Sequence, residues 1–551
     1  MTTMPRDHRW ISLALLVLGG GLALVFLGPR SSLPFAGRTP QDHGVLRVAY
    51  TPALSLDPHA RVFPYPAYNH LMLCLWEPLV ECHPSTGEPH PAAAGSWQWS
   101  KDHRVLTLTL REARWSNGER VTAHDFVRGW LRLLRSPISV AHPLFPVKNA
   151  ENYHRGQLHQ PGEVGLSALD DLTLRVELDQ PRTSFVAELA DPLLAPLHVS
   201  SERVLADKSF ERQPETLVTN GPFRLIGADA DGFRLEASPH YRQQARVRLA
   251  GVRFIRTHDV STGVLLLAAG VADVLSGSNL EPVRSGLTAR PLVIEAELVL
   301  GVVANYFNVT RGPLRDLRVR QALALALDRA SLIEESDRAR LVPARSWVPG
   351  MPGRPGLALF AEDAAEARRL LAEAGYPGGR DFPVLRMTLP LGGESDPYPA
   401  ACSERWFKEL GIRTYVAYES PVRRRSRITE GDYDLLFGLL VATVPDPADL
   451  LTTFSQPLAY NESKWQEEEI VRLLAAANHK TGAERLVLVE QVERRAMAAV
   501  PAVPLMFPRR HTLRATEVCG WYEDPLARQS FKRLWLDSAA APAMATNPER
   551  I

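Results

Sequence analysis

The sequence predicts a large α/β protein with room for two lobes, preceded by one hydrophobic helix. Three observations lead there. The chain has 551 residues, too many for one small domain and ample for two lobes with cores of their own. Residues 97–134 read as a strand, a turn and a capped helix in succession. Residues 10–28 form a run without a charged side chain.

The stretch at 97–134 carries the secondary-structure argument. Leu106, Leu108 and Leu110 alternate with Thr107 and Thr109, the period of a half-buried strand. Ser116, Asn117 and Gly118 make a turn, because Asn and Gly tolerate positive φ. Thr122 and Asp125 have the spacing of a capping box, so a helix is expected to start at Ala123. Phe126, Val127, Trp130, Leu131 and Leu134 give that helix one apolar face. Pattern alone stops here, and a plain α+β core reads the same way.

Composition narrows the function classes. The formal net charge is +1, without the clustered basic excess of a nucleic-acid binder. The apolar fraction is ordinary, so most of the chain should fold, and the scattered prolines suit many loops. There are no repeats. The cysteines Cys74, Cys82, Cys402 and Cys519 show no C-x-x-C spacing, which argues against zinc. Cys74 and Cys82 are either a local disulfide or buried free thiols, and the usual burial of cysteine favours the thiols. The histidines are spread without ligand spacing, and G-x-S-x-G, H-E-x-x-H and Gly-rich phosphate loops are missing. No cofactor, metal or catalytic residue is expected, and the enzyme reading is set aside.

The N-terminus sets the address. Arg6, His8 and Arg9 precede the charge-free run. At ~1.5 Å per residue, a helix of that length nearly spans a ~30 Å hydrocarbon core. The basic flank keeps residue 1 in the cytoplasm and places the body outside. The run is either a signal peptide cut near Phe35-Ala36-Gly37 or a retained anchor, and its length favours the anchor. No cysteine follows it to carry a lipid. Residues 29–43 read as a linker.

The order of residue types goes further than periodicity. Trp97 and Asp102, the strand, and then R-W-S-N-G-E-R-V-T-A-H-D-F-V from Arg114 resemble the extracytoplasmic solute-binding proteins of the oligopeptide/dipeptide class, which feed ABC importers. The resemblance runs from about residue 45 to 537. The strand at 45–50 leads to Ser55-Leu56-Asp57-Pro58-His59, and an apolar helix is read at 71–80. A turn follows at 86–91. Residues 143–146 and 149–153 resemble the insertion of the oligopeptide branch. Residues 168–178 read as one alternating strand that pairs with 106–110. In the V-T-N-G-P-F turn, Gly221 is read as supplying a backbone angle closed to other residues. The P-L-R-D-L-R-V-R-Q-A-L run at 313–323 is expected to open the second lobe with a helix. An amphipathic helix at 364–376 is ended by Gly375.

The resemblance implies a periplasmic-binding-protein-like, Venus-flytrap fold. Two α/β lobes are joined by strands that cross twice, with an extra subdomain on the first. Its parts are expected at 44–79, 205–291 and 515–540 for lobe one, 80–204 for the extra subdomain, and 292–514 for lobe two. Residues 541–551 are a tail. The lobes close over ligand, and a peptide lies extended, hydrogen-bonded to strand edges.

Carried over by position, the strand-edge contacts fall at Ala53, Leu54 and Ser55 and at Gly438, Leu439 and Leu440. Asn305 and Asn308 are placed near the crossover as cleft-lining candidates. The alternative for each is ordinary strand packing. Relatives read G-W-x-A-D-Y-x-(D/E)-P at this point, and the Asp holds the peptide α-ammonium. Here Thr443 takes that position, and a hydroxyl is a far weaker partner for a buried cation. Asp446 is the candidate substitute, against the plainer reading of a loop Asp before Pro. Arg423, Arg424, Arg425 and Arg427 form a basic cluster, read as a solvated face or, through Arg427, as a carboxylate clamp.

The implied function is that of a monomeric solute-binding protein, tethered to the outer face of the cytoplasmic membrane. It hands peptides or peptide-like solutes to ABC permease subunits. The competing reading is an anchored binding or sensor module that has lost the amine anchor and serves no transport.

Overall fold

The computed structural model describes residues 43–537, apart from 52–53, 61–65, 84–86, 137–140, 278–290, 352–353, 394–395, 456–460, 523 and 525. The hydrophobic N-terminal run and the C-terminal tail lie outside these residues. Among the described residues, no helix is long and apolar enough to cross a membrane.

The first strand, β1 (Val45–Tyr50), is buried because it has a parallel neighbour on each side. Arg47 interrupts its apolar run. Its guanidinium meets both carboxylate oxygens of the buried Asp273, at 3.0 and 2.8 Å, in a bidentate pair. Helix α1 (Pro66–Leu75) follows and is buried on every residue. The reading of a helix at 71–80 is corrected here. The helix starts earlier, burying the polar Asn69 and His70, and stops before Pro78, which cannot donate to a helical turn. Val80–Cys82 instead forms a short hairpin with Pro89–Pro91, so the expected turn at 86–91 is partly strand.

The V-T-N-G turn closes the end of α1. The Asn220 side chain accepts from Glu77 N at 3.1 Å and donates to Glu77 O at 3.2 Å, while Gly221 N donates to Leu75 O at 2.8 Å. Gly221 is not a positive-φ residue, so the expected reason for it is corrected. A Cβ at that position would lie 2.5 Å from the Leu75 carbonyl carbon and 2.6 Å from Cys74 O. Close backbone approach requires glycine there, not an unusual angle.

The subdomain is an antiparallel sheet of β2 (Ala94–Trp99), β3 (Val105–Leu110), β4 (Leu166–Asp170) and β5 (Thr173–Glu177), in the order β2-β3-β5-β4. The single strand read at 168–178 is in fact a hairpin. Asp170 Oδ1 accepts from Leu172 N at 2.8 Å, an Asx turn that reverses the chain. The pairing with β3 is as expected, through β5. Helix α2 (Ala123–Leu134) starts at the expected residue, and Asp125 Oδ2 accepts from the Thr122 backbone at 2.8 Å and its hydroxyl at 3.0 Å.

The first lobe's sheet continues through β6 (Phe223–Asp229), β7 (Gly232–Ala237), β8 (Gly251–Arg256) and β9 (Val274–Gly277). The chain then passes along β10 (Leu292–Leu298) and β11 (Gly301–Phe307) into the second lobe. Helix α3 (Leu317–Leu325) forms in the P-L-R-D-L-R-V-R-Q-A-L run, one strand later than the start of the second core. Strand β12 (Leu341–Pro343) precedes helix α4 (Ala364–Glu373), which ends just before Gly375 at φ +97. Then come β13 (Leu385–Pro390), α5 (Tyr398–Leu410), β14 (Thr414–Glu419), α6 (Pro421–Glu430) and β15 (Leu435–Val441). Helices α7 (Pro447–Leu451), α8 (Glu468–Ala477) and α9 (Gly482–Ala499) lead to the long strand β16 (Ala502–Ala515).

Strand β16 belongs to both lobes. Its first half pairs with β11 and β12, and its second half with β10 and β9. The result is one twelve-stranded sheet in the order β14-β13-β15-β11-β16-β9-β1-β8-β7-β6, with β10 and β12 also on β16. It carries two main cores. One runs from Leu46 through the subdomain and is sealed by Phe531 and Leu534, and the other runs from Leu300 to Phe507. This is the two-lobed architecture that the resemblance implies. All four cysteines are free, and burial pushes the Cys74 and Cys82 thiols up.

Replacing Gly221 with alanine should destabilise the first lobe by about 1–3 kcal/mol through overpacking against Leu75. Urea unfolding compared with wild type checks this; an unchanged midpoint would refute the close-approach account.

Candidate functional site

Strand β15 has one paired edge and one open edge. It is antiparallel to β11 along its full length, with Gly438, Leu439 and Leu440 opposite Ala304, Val303 and Val302. On the other side β13 reaches it only at Leu435 and Leu436. Beyond Leu436, no described strand pairs with this edge. Such an edge presents alternating N–H and C=O groups to whatever lies beside it. Leu439 is 56% exposed, and a Cβ at Gly438 would meet only Arg424 Nη2 at 3.8 Å.

The strand runs directly into the seam between the lobes. There Thr183 of the first lobe donates from N to Asn478 O at 3.1 Å and from Oγ1 to Lys480 O at 2.8 Å. His103 and His479 face one another with ring centroids 6.2 Å apart. A cavity of about 380 Å³ opens beside these contacts, a size suited to a small solute or a few residues of chain. Arg182 and Ser184 line it from the first lobe, and Asp446, Asp449, His479 and Arg485 from the second.

On the first lobe, the loop after β1 is held by the subdomain helix. Arg132, in the last turn of α2, gives Asp57 two hydrogen bonds at 2.8 and 2.7 Å and a third to His59 Nδ1 at 2.7 Å. Ser55 Oγ accepts from Asp57 N at 3.0 Å, and Tyr68 donates its hydroxyl to Pro58 O at 2.6 Å. Burial pushes the Asp57 carboxyl up, but the Arg132 hydrogen bonds and charge outweigh it and hold it below the usual carboxylate range. Burial, and then the Arg132 charge, push the His59 ring down to about 3, so it stays neutral and accepts from Arg132.

An open strand edge on one lobe, a braced loop on the other and a cavity in the seam between them suit noncovalent capture. The model of the bacterial extracellular solute-binding proteins, family 5 Middle, matches residues 88–462. The chain belongs to this family. The dipeptide-binding protein DppE of Bacillus subtilis is 25% identical over 478 residues, covering 82% of this chain and 84% of DppE. The periplasmic oligopeptide-binding protein OppA of Salmonella typhimurium is 28% identical over 440 residues, covering 76% and 79%. Among solved structures, the murein tripeptide binding protein MppA in its unliganded open form superposes with a TM-score of 0.74 at 25% identity, covering 90% of this chain and 97% of that one.

Within this family-5 fold, the sequence-expected site residues part company. Gly438, Leu439 and Leu440 lie on the open-edged strand. Leu54 packs against the first core and Ser55 braces the loop, while Ala53 lies outside the described residues. Asn305 does not line a cleft: it is fully buried, with its amide 3.7 Å from Cys402 Sγ. Asn308 is also fully buried and ties the second lobe together, donating to Gly431 O and Tyr433 O, both at 3.0 Å. Arg427 is no free carboxylate clamp, because it is spent on Glu419 at 2.5 Å and on Asp432. Asp446 is no free amine anchor, because it caps α7 through Ala448 N at 2.8 Å and pairs with Arg485 at 2.6 Å. Thr443 is exposed, and its N–H and hydroxyl donate to Asp449 Oδ2 at 2.6 and 3.0 Å.

Sequence reasoning missed Arg132, Arg182, Asp449 and Arg485. Arg132 had one local signal, a cation in the last turn of a helix already singled out. Arg485 reaches Asp446 across 39 residues, while Arg182 with Glu188 and Asp449 with Thr443 are each six apart, a spacing that matches no short motif.

The braced loop makes stability depend on pH. His59 is neutral in the fold down to about 3, whereas in the unfolded chain it protonates below about 6.5. The unfolded state therefore takes up the extra proton between those values, and stability falls as the pH drops through that window. From pH 7 to pH 4.5 His59 should account for about 2–3 kcal/mol of loss. Thermal melts should show His59→Gln flattening that decline; an identical decline in both proteins would overturn the assignment.

Proposed function

We propose that this protein captures peptides or peptide-like solutes outside the cytoplasmic membrane and hands them to the permease of an ABC importer. The observation that carries the reading is the open edge of β15, running from Phe437 to Val441 into the interlobe seam. An extended ligand added there satisfies backbone groups common to every peptide, so binding tolerates varied sequence. The names of the relatives, which include dipeptide- and oligopeptide-binding proteins, support the same ligand class. The charge-free run at 10–28 supports a tether that keeps the body on the outer face. The competing reading, a module that serves no transport, rests on Thr443 in place of a carboxylate, and Asp449 beside it weakens that ground.

Isothermal titration with tri- and tetrapeptides tests the capture step. Micromolar or tighter binding is expected, and methylating one backbone nitrogen that faces β15 should weaken it roughly tenfold. Equal binding of methylated and unmethylated series would sink the strand-addition reading. In cell fractionation the protein is expected in the membrane pellet, and recovery in the periplasmic extract would overturn the tether.

A further inference from the structure

The two lobes are joined in two ways. The crossing strands β10, β11 and β16 form one connection. The other is noncovalent, and three contacts carry it on the first-lobe side, from the subdomain sheet and the segments beside it. Thr183, after β5, gives its N–H to Asn478 O at 3.1 Å and its hydroxyl to Lys480 O at 2.8 Å, both just past the end of α8. His103, in the turn between β2 and β3, faces His479. Gly87, ahead of β2, lies against Pro445, and a Cβ there would be 3.2 Å from Pro445 O.

Both sides are rigid where they meet. Thr183 sits in the turn that starts the buried helix Phe185–Glu188. Phe185 N donates to Arg182 O at 3.0 Å, and Arg182 Nε donates to Glu188 at 2.5 Å. Opposite, Arg485 is fixed by Asp446 and donates to Ala477 O, the last carbonyl of α8. These charges are paired within their own lobes, so the hydrogen bonds that cross the seam at Thr183 are neutral. Making them orders little that is not ordered already.

We propose that the subdomain is a catch: Thr183, set on the end of α8, holds the second lobe against the first and governs how often the cleft opens. Rotation of the lobes about the crossing strands draws Thr183 off both carbonyls together, so the two bonds are made and lost as a unit. One neutral hydrogen bond shifts such an equilibrium roughly fivefold. The catch acts on the lobes directly and does not depend on which solute is held.

Amide hydrogen exchange read residue by residue tests this, because the Thr183 N–H is itself one of the two bonds. In the wild type it should exchange roughly tenfold or more slower than a free amide of the same sequence. Thr183→Val, which keeps the shape and removes the hydroxyl, should speed it about fivefold. Gly87→Asn should speed it as well from another part of the seam. Asn tolerates the φ of +72 at that position, and its side chain presses on Pro445. The Phe185 amide, bonded inside the first lobe, should keep its wild-type rate in both variants. A wild-type Thr183 amide that exchanges at the free-chain rate would overturn the catch, and this arm needs no variant. A folded Gly87→Asn with the wild-type Thr183 rate would overturn it too. So would acceleration of Thr183 and Phe185 together, which marks local fraying of the first lobe in place of opening.

Discussion

One strand holds the two halves of this protein in register. Ala502–Ala515 exchanges backbone hydrogen bonds with β11 and β12 in the second lobe and with β10 and β9 in the first. A buried backbone group must find a partner, so the lobes cannot separate without breaking ladder bonds. The ladder changes partners at one level of the strand. At that point Pro508 faces Leu341 and the next residue, Arg509, faces Leu298. Proline has no N–H to lose, which makes it a suitable residue for the break. Its carbonyl accepts from Val299 N at 2.9 Å in the neighbouring connection, so the two crossings meet at one level. Rotation about that level is the motion the topology permits.

The treatment of charge follows from the same division. Within each lobe, buried charges are matched almost one to one. Arg47 faces Asp273 and Arg528 faces Asp524 in the first; in the second, Arg354 faces Glu493, whose other oxygen takes the N–H groups of Trp347 and Val348 at 2.8 Å. Such pairs gain little net stability, but removing one member leaves a charge stranded. Polar groups that a ligand could reach lie at the seam and along the β15 edge.

Much of the fold was legible in the chain, because its signals are local. The alternation at 106–110, the Thr122–Asp125 spacing and the Gly375 stop each act within a few residues, and each produced the expected element. The misses have physical reasons. Asp170-Asp171 turned a supposed strand into a hairpin through a side-chain hydrogen bond that periodicity does not register. Gly221 was read through its backbone freedom, when what matters is the main chain of Leu75, far away in sequence. The site was harder to read. Asn305, Asn308, Arg427 and Asp446 are polar residues in plausible places, but whether such a side chain is free or already engaged depends on partners that only folding brings near.

The closing of the first core by Phe531 and Leu534 bears on how the molecule is made. A polypeptide synthesised from its amino end delivers the whole second lobe before these two side chains emerge. The later lobe in sequence is therefore the first to be complete, while the earlier one waits with its hydrophobic interior unsealed. A messenger cut short by a few dozen codons would yield a finished half joined to an unfinished one, with sticky apolar surface on show.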